Sequence, residues 1–89
     1  MMNELKKRLA ELERLEEIAD RADAEYDAEP ENAEKEAAFD LAYQHEYNAF
    51  IAVCELIVKI TAGQIDIKTA RTMVRTKRAE LLHILSKVS

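Results

Sequence analysis

The chain has 89 residues, a formal net charge of −5 at pH 7, and only one glycine, one proline and one cysteine. So little glycine and proline leaves few means of turning a β-sheet, and a single cysteine excludes the internal disulfides that stabilise many small secreted proteins. Strong helix formers (alanine, glutamate, lysine, leucine and arginine) dominate instead. The composition therefore predicts an all-α fold, with residues 1–89 forming a single helical domain.

The first predicted helix runs from about residue 3 to about residue 28, with Asn3 as its N-cap. Apolar residues recur along it at steps of three and four, the period of an amphipathic helix: Leu5, Leu9, Leu12, Leu15, Ile18, Ala19, Ala22 and Tyr26. The first fifteen residues hold no continuous apolar run and carry three carboxylates, unlike a secretory signal or a transit peptide. We therefore expect a cytoplasmic protein.

The second predicted helix runs from about residue 31 to about residue 62, after a break in which Pro30 can stand in the first turn or Asn32 can be the N-cap instead. It contains the most apolar stretch of the chain, Phe50–Ile60, which is too short to cross a bilayer, so we expect no membrane association. Steps of about 100° per residue give this helix two apolar faces. One face carries Ala38, Ala42, Ala49, Val53, Leu56 and Ile60, and the other carries Phe39, Tyr43, Phe50, Cys54 and Ile57. Two apolar faces of different residue types suit a helix that packs between helix 1 on one side and helix 3 on the other.

Three further residues of the second helix, Tyr47, Ile51 and Val58, lie on neither face. They flank the polar stripe, where an isolated three-helix bundle would leave them exposed. A contiguous exposed apolar strip marks a contact with another molecule. We therefore predict that these residues form an oligomer interface, with a homodimer favoured, and that any other protein partner is unidentified. The alternative is that helix 1 or helix 3 covers the strip through a modest rotation, since angles around a helix of this length drift.

The third predicted helix runs from about residue 66 to about residue 88. Gly63 provides the positive φ that the end of the second helix needs, and Asp66 is the predicted N-cap, or Thr61 if the break falls earlier. Its expected core positions are Ile67, Ala70, Val74, Leu81, Leu85 and Val88. Because short connections make neighbouring helices antiparallel, the sequence predicts an up-down-up antiparallel three-helix bundle with long first and second helices. The longer hairpin of helices 1 and 2 should project beyond helix 3 at its tip, around residues 20–36.

The stretch Ile65–Val74 carries a capping aspartate followed by the run Lys-Thr-Ala-Arg-Thr. It resembles the start of the recognition helix in helix-turn-helix regulators of the LuxR type. The preceding helix is longer than in that pattern, and Lys59 takes the place of its small residue four positions before the turn glycine. The resemblance implies a DNA-binding accessory factor as an alternative function, with phosphate contacts from one basic face. That face carries Lys68, Arg71, Arg75 and Arg78.

Charge is distributed unevenly along the chain. Residues 1–65 carry a net charge of −9, whereas residues 66–89 carry +4. Attraction between the acidic helices and the basic segment, within one bundle or between two subunits, accounts for this pattern without nucleic acid.

A third interpretation of the function starts from residues 11–36, which carry twelve carboxylates and three cations. Such a surface can imitate nucleic-acid phosphates and act as an inhibitor of a basic target.

Groups that carry enzymatic or metal chemistry are sparse. Glu80 and His83 have the Glu-x-x-His spacing of di-iron bundles, but Ala42 stands where a second glutamate would precede His45. Cys54 lies on an apolar face, which predicts a buried and unreactive thiol. We therefore expect no catalytic residue, metal or cofactor, and a non-enzymatic interaction or structural accessory module that self-associates through helix 2.

Overall fold

The computed structural model describes residues 2–88, although not the side chain of Val88. Within that range the chain is helical and contains no strand, which confirms the predicted all-α fold. The elements in order are α1 (Met2–Ala28), α2 (Ala33–Ile60), α3 (Ile67–Thr76), a 3-10 turn (Arg78–Glu80) and α4 (Leu81–Val88). We call α3, the 3-10 turn and α4 together the third layer.

A hairpin of α1 and α2 sets the length of the molecule. The two helices have 27 and 28 residues, which at 1.5 Å per residue makes each about 40 Å long. The whole molecule measures 49 × 20 × 18 Å. Of the two predicted starts of α2 the structure shows the cap at Asn32, whose side-chain oxygen accepts the backbone N–H groups of Glu34 and Lys35 at 3.0 and 3.2 Å. The polar turn therefore returns the chain directly along α1.

The second turn also follows the sequence signals. Gly63 has φ +84° and its N–H donates to the carbonyl of Val58 at 2.9 Å, which closes the end of α2. The carboxylate of Asp66 accepts the N–H of Thr69 at 2.8 Å and so caps α3. This hydrogen bond also lowers the pKa of Asp66. The predicted roles of Gly63 and Asp66 are confirmed.

The prediction of one continuous third helix over residues 66–88 is wrong. The backbone leaves the α-helical region at Lys77, where φ is −130° and ψ is 29°. Two features at this point favour an end to the helix. The Arg78 side chain donates through Nε to the carbonyl of Val74, and the Thr76 hydroxyl donates to that of Thr72; both carbonyls near the helix end thus have side-chain partners.

The hydrophobic core occupies one end of the hairpin. It joins α1, α2 and the third layer through buried side chains: Leu5, Leu9, Leu12, Phe50, Val53, Cys54, Ile57, Ala70, Met73, Val74, Leu81 and Leu85. Each large apolar side chain here contributes about 1.5–3 kcal/mol through burial. Ile67, a predicted core residue, is instead 43% exposed at the start of α3. Val88, also predicted in the core, lies outside the side chains that the structure describes.

The other half of the hairpin extends beyond this core, whose buried members include no residue between Leu12 and Phe50. There α1 and α2 meet through small buried residues, Ala19 and Ala42, which allow close approach of the two backbones. Farther out, the rings of Tyr26 and Phe39 stack with centroids 5.8 Å apart. The hairpin tip at residues 20–36 therefore has no cover from the third layer.

Across residues 2–88, none of the helices combines the length and the apolar character that crossing a membrane requires.

Gly63 offers a test of the second turn. Since no atom lies within 4 Å of where a Cβ would stand, Gly63→Ala adds no steric clash and changes only the backbone preference. We expect it to lower the free energy of unfolding by about 1 kcal/mol, because a positive φ disfavours side chains with a Cβ. Gly63→Asn should cost less, since asparagine tolerates this region. Urea denaturation measures both, and equal stability of all three proteins would contradict this account of the turn.

Candidate functional site

A groove opens where the third layer ends on the hairpin. It has a volume of about 140 Å³ and is lined by three aromatic residues of α2 together with acidic and basic side chains from all three layers: Glu16, Tyr43, Glu46, Tyr47, Phe50, Arg75 and Arg78. Phe50 belongs to the core, whereas Tyr43 is 57% exposed. The groove therefore marks the boundary between the covered and the uncovered half of α2.

One ion pair fixes the third layer to α1 at this boundary. Both terminal nitrogens of Arg78 donate to the two carboxylate oxygens of Glu16, and the Nη2–Oε2 distance is 3.0 Å. The two side chains are 26% and 30% exposed, so the pair is partly shielded from solvent. The hydrogen bonds with Glu16 raise the pKa of Arg78. A bidentate pair of this kind holds the 3-10 turn in one orientation.

Two further arginines, both in α3, contact aromatic side chains of α2. The guanidinium of Arg75 lies 4.7 Å from the centroid of the Phe50 ring, a cation–π contact. Nη2 of Arg71 donates to the hydroxyl of Tyr47 at 2.9 Å. Nε of Arg71 is buried and has no hydrogen-bond partner among the described residues.

The four residues of the predicted basic face thus have different surroundings. Arg71, Arg75 and Arg78 contact Tyr47, Phe50 and Glu16 of their own chain, and Lys68 is exposed. The sequence suggests either DNA phosphates or the acidic helices as partners of this basic face. The ion pair between Arg78 and Glu16 agrees with the acidic helices.

Glu46 lies in the groove in an environment that disfavours its charged form. It is half-buried, and its pKa is raised first by desolvation and then by repulsion from Glu16 and Asp20, while Arg78 acts in the opposite direction. Arg78 therefore offsets only part of the unfavourable environment of Glu46, which combines burial with repulsion from two neighbouring carboxylates.

The predicted oligomer strip is divided by the structure. Tyr47 is 42% exposed and lines the groove. Ile51 and Val58 are half-buried and pack against the core, so the expectation that an isolated chain would expose them is wrong. The reason is that α3 extends over this flank of α2, as the hydrogen bond from Arg71 to Tyr47 shows.

Other exposed residues were not expected. The apolar face predicts Tyr43 in the core, yet it lies at the edge of the third layer and is 57% exposed. Leu41 is 54% exposed, and two residues of separation place it about 200° around α2 from Tyr43. Helical periodicity gives the direction of a side chain but not how far along α2 the third layer extends. The signal in the sequence for this exposure is that the predicted third helix is shorter than the second and so cannot cover all of it.

The remaining candidates for chemistry are structural or exposed. Within the described residues, no three histidine, cysteine, aspartate or glutamate side chains are grouped as a metal site would require. Cys54 is fully buried and desolvation raises the pKa of its thiol, which keeps it in the unreactive protonated form. Glu80 and His83 are both exposed.

Comparison of the chain with family models, curated proteins and solved structures gave no match. Its function therefore has to be inferred from the geometry described above.

The raised pKa of Glu46 predicts a pH-dependent stability. Between the unfolded and the folded pKa the folded chain binds more protons, so this carboxyl lowers stability as pH rises through that interval. Glu46→Gln should therefore be more stable than the parent at pH 7, and the difference should vanish in acid, where Glu46 is protonated in both states. Urea unfolding across pH measures this difference.

Glu11→Gln is the control of opposite sign, because a hydrogen bond from Arg14 lowers the pKa of Glu11. This substitution should not stabilise the protein at pH 7. A Glu46→Gln protein that is less stable than the parent at pH 7 would contradict the electrostatic description of the groove.

Proposed function

We propose that this protein is a non-enzymatic interaction module of the cytoplasm that self-associates through the groove side of α2, as a homodimer. The observation that carries the proposal is that one face of α2 is buried by the third layer at Phe50 but is open at Tyr43, where the exposed fraction rises from 6% to 57%. A second copy would cover the part of this face that the chain itself leaves bare.

The open face is continuous with the core. Phe39, Tyr43, Tyr47 and Phe50 follow one another at steps of four, four and three residues and so lie on one side of α2. Ring contacts join Phe39 to Tyr43, with centroids 6.2 Å apart, and Tyr47 to Phe50, with centroids 6.4 Å apart. The aromatic face is thus an extension of the packing surface that α3 already uses.

The residue types of the groove also suit a protein interface. Tyrosine and arginine are enriched among the residues that contribute most to binding between proteins, and Tyr43, Tyr47 and Arg75 all line the groove. Tyrosine buries a large ring at a small cost in conformational entropy and keeps a hydroxyl for a hydrogen bond. Among the predicted interface residues, Tyr47 therefore takes the central role, with Tyr43 beside it.

The alternative functions make different demands on the same side chains. DNA binding through the basic face competes with the hydrogen bond of Arg71 to Tyr47 and with the ion pair of Arg78 and Glu16. Imitation of nucleic acid requires only that the carboxylates of the hairpin remain exposed. Neither accounts for the open aromatic face, which self-association does.

Tyr43→Glu tests the proposal, with Leu41→Glu as its matched control. Both residues are exposed to a similar extent on the same helix, but only Tyr43 lines the groove. Light scattering after size exclusion should give the mass of a dimer for the parent and for Leu41→Glu, and a monomer for Tyr43→Glu. Ile51→Glu is a poor substitute because Ile51 packs against the core. A parent protein that stays monomeric at high concentration would refute self-association.

A further inference from the structure

The groove side of α1 carries a row of carboxylates that continues along the hairpin. Glu16, Asp20, Asp23 and Asp27 follow one another at steps of four, three and four residues, so they share one side of the helix. We call these four residues the acidic stripe. The repulsion that Glu16 and Asp20 both exert on Glu46 places the start of this stripe at the groove.

The chain's own cations reach only the first residue of the stripe. Arg78 pairs with Glu16, whereas Asp20, Asp23 and Asp27 are exposed and take part in no ion pair among residues 2–88. From Glu16 to Asp27 the helix rises about 16 Å, which exceeds the Debye length of about 8–10 Å at physiological ionic strength. The outer stripe is therefore screened from the basic third layer of the same chain.

The complementary surface lies on the third layer where α3 meets the 3-10 turn. Arg75 and Lys77 are exposed there, and neither forms an ion pair within the described part of the chain. Arg75 lines the groove next to Tyr43. The basic junction of Arg75 and Lys77 thus lies at the groove end of the open aromatic face. The acidic stripe begins at the same groove and runs along α1 towards the hairpin tip.

We propose that two copies pack antiparallel, groove side to groove side, so that the acidic stripe of each copy lies against the basic junction at Arg75 and Lys77 of the other. This inference rests on the proposed self-association and adds the orientation of the copies and its electrostatic cause. The contact is isologous, since the same two surfaces meet twice around a two-fold axis, and the assembly closes as a dimer.

The length of the uncovered hairpin and its charge both select this orientation. From Glu16 to Ala28, α1 extends about 18 Å beyond the groove. An antiparallel overlap over this length brings each tip to the partner's basic junction and covers Tyr43 in both copies. A parallel arrangement would instead place tip against tip and basic junction against basic junction, where like charges repel. Charge complementarity therefore identifies a second copy in antiparallel orientation as the occupant of the groove side.

Lys77→Glu tests the basic side of the contact, and Lys68→Glu is the matched control. Both lysines are exposed in the third layer, but Lys68 lies in the first turn of α3, about 13 Å along the helix from the junction. Sedimentation equilibrium gives the dimer dissociation constant at low and at high salt. We expect Lys77→Glu to raise it about tenfold at low salt, since two ion pairs become repulsive contacts. Lys68→Glu should change it little.

Asp27→Lys tests the acidic side, with Glu25→Lys as its control. Glu25 lies two residues away and so on a different side of α1. Asp27→Lys should weaken the dimer about as much as Lys77→Glu, and Glu25→Lys should not. The double variant Asp27→Lys/Lys77→Glu is decisive, because exchanging the two charges restores an attractive pair at both contacts. Its dissociation constant should return towards that of the parent.

The outcomes separate the two proposals. Recovery in the double variant together with weaker association of the parent in high salt supports the antiparallel dimer. A parent that dimerises equally in low and high salt, with Lys77→Glu and Lys68→Glu indistinguishable, overturns the antiparallel contact while leaving self-association intact. A parent that is monomeric throughout overturns both proposals. Circular dichroism confirms that each exposed variant keeps the helicity of the parent.

Discussion

The structure depends on the burial of Phe50–Ile60 between α1 and the third layer. This segment is apolar in most directions, and Val53, Cys54 and Ile57 have no exposed surface at all. The third layer is shorter than the hairpin it packs on, because α3 has only ten residues. It therefore covers one half of α2 and stops at the groove. The open aromatic face beyond the groove follows from this mismatch in length.

Three arginines join the third layer to the hairpin, each by a different interaction. Arg78 pairs with a carboxylate, Arg75 lies on an aromatic ring and Arg71 donates to a phenol. Arginine suits all three roles because its planar guanidinium forms bidentate hydrogen bonds and stacks on rings. The attraction between the acidic and basic parts of the sequence is thus concentrated at the groove, and the outer carboxylates remain available for a contact between chains.

Much of this architecture was predictable from local signals. Apolar periodicity identified the buried leucines of α1, and Asn32, Gly63 and Asp66 marked the helix ends because each satisfies a specific backbone requirement. The break at Lys77 was not predictable, since it accompanies a side-chain contact between Arg78 and the distant Glu16. Nor did periodicity show that Tyr43 would be open while Ile51 and Val58 would be covered. Both depend on where the third layer ends, which is a tertiary property.

Small-angle X-ray scattering tests the central claim most directly, namely that a second antiparallel copy covers the open half of the hairpin. One copy is 49 Å long, and two copies that overlap over about 18 Å of hairpin span about 80 Å. We predict a particle with the mass of a dimer and this maximum dimension at low salt, shortening towards the single-chain length on dilution. A dimer whose maximum dimension stays near 49 Å, or a monomer at every concentration, would contradict the claim.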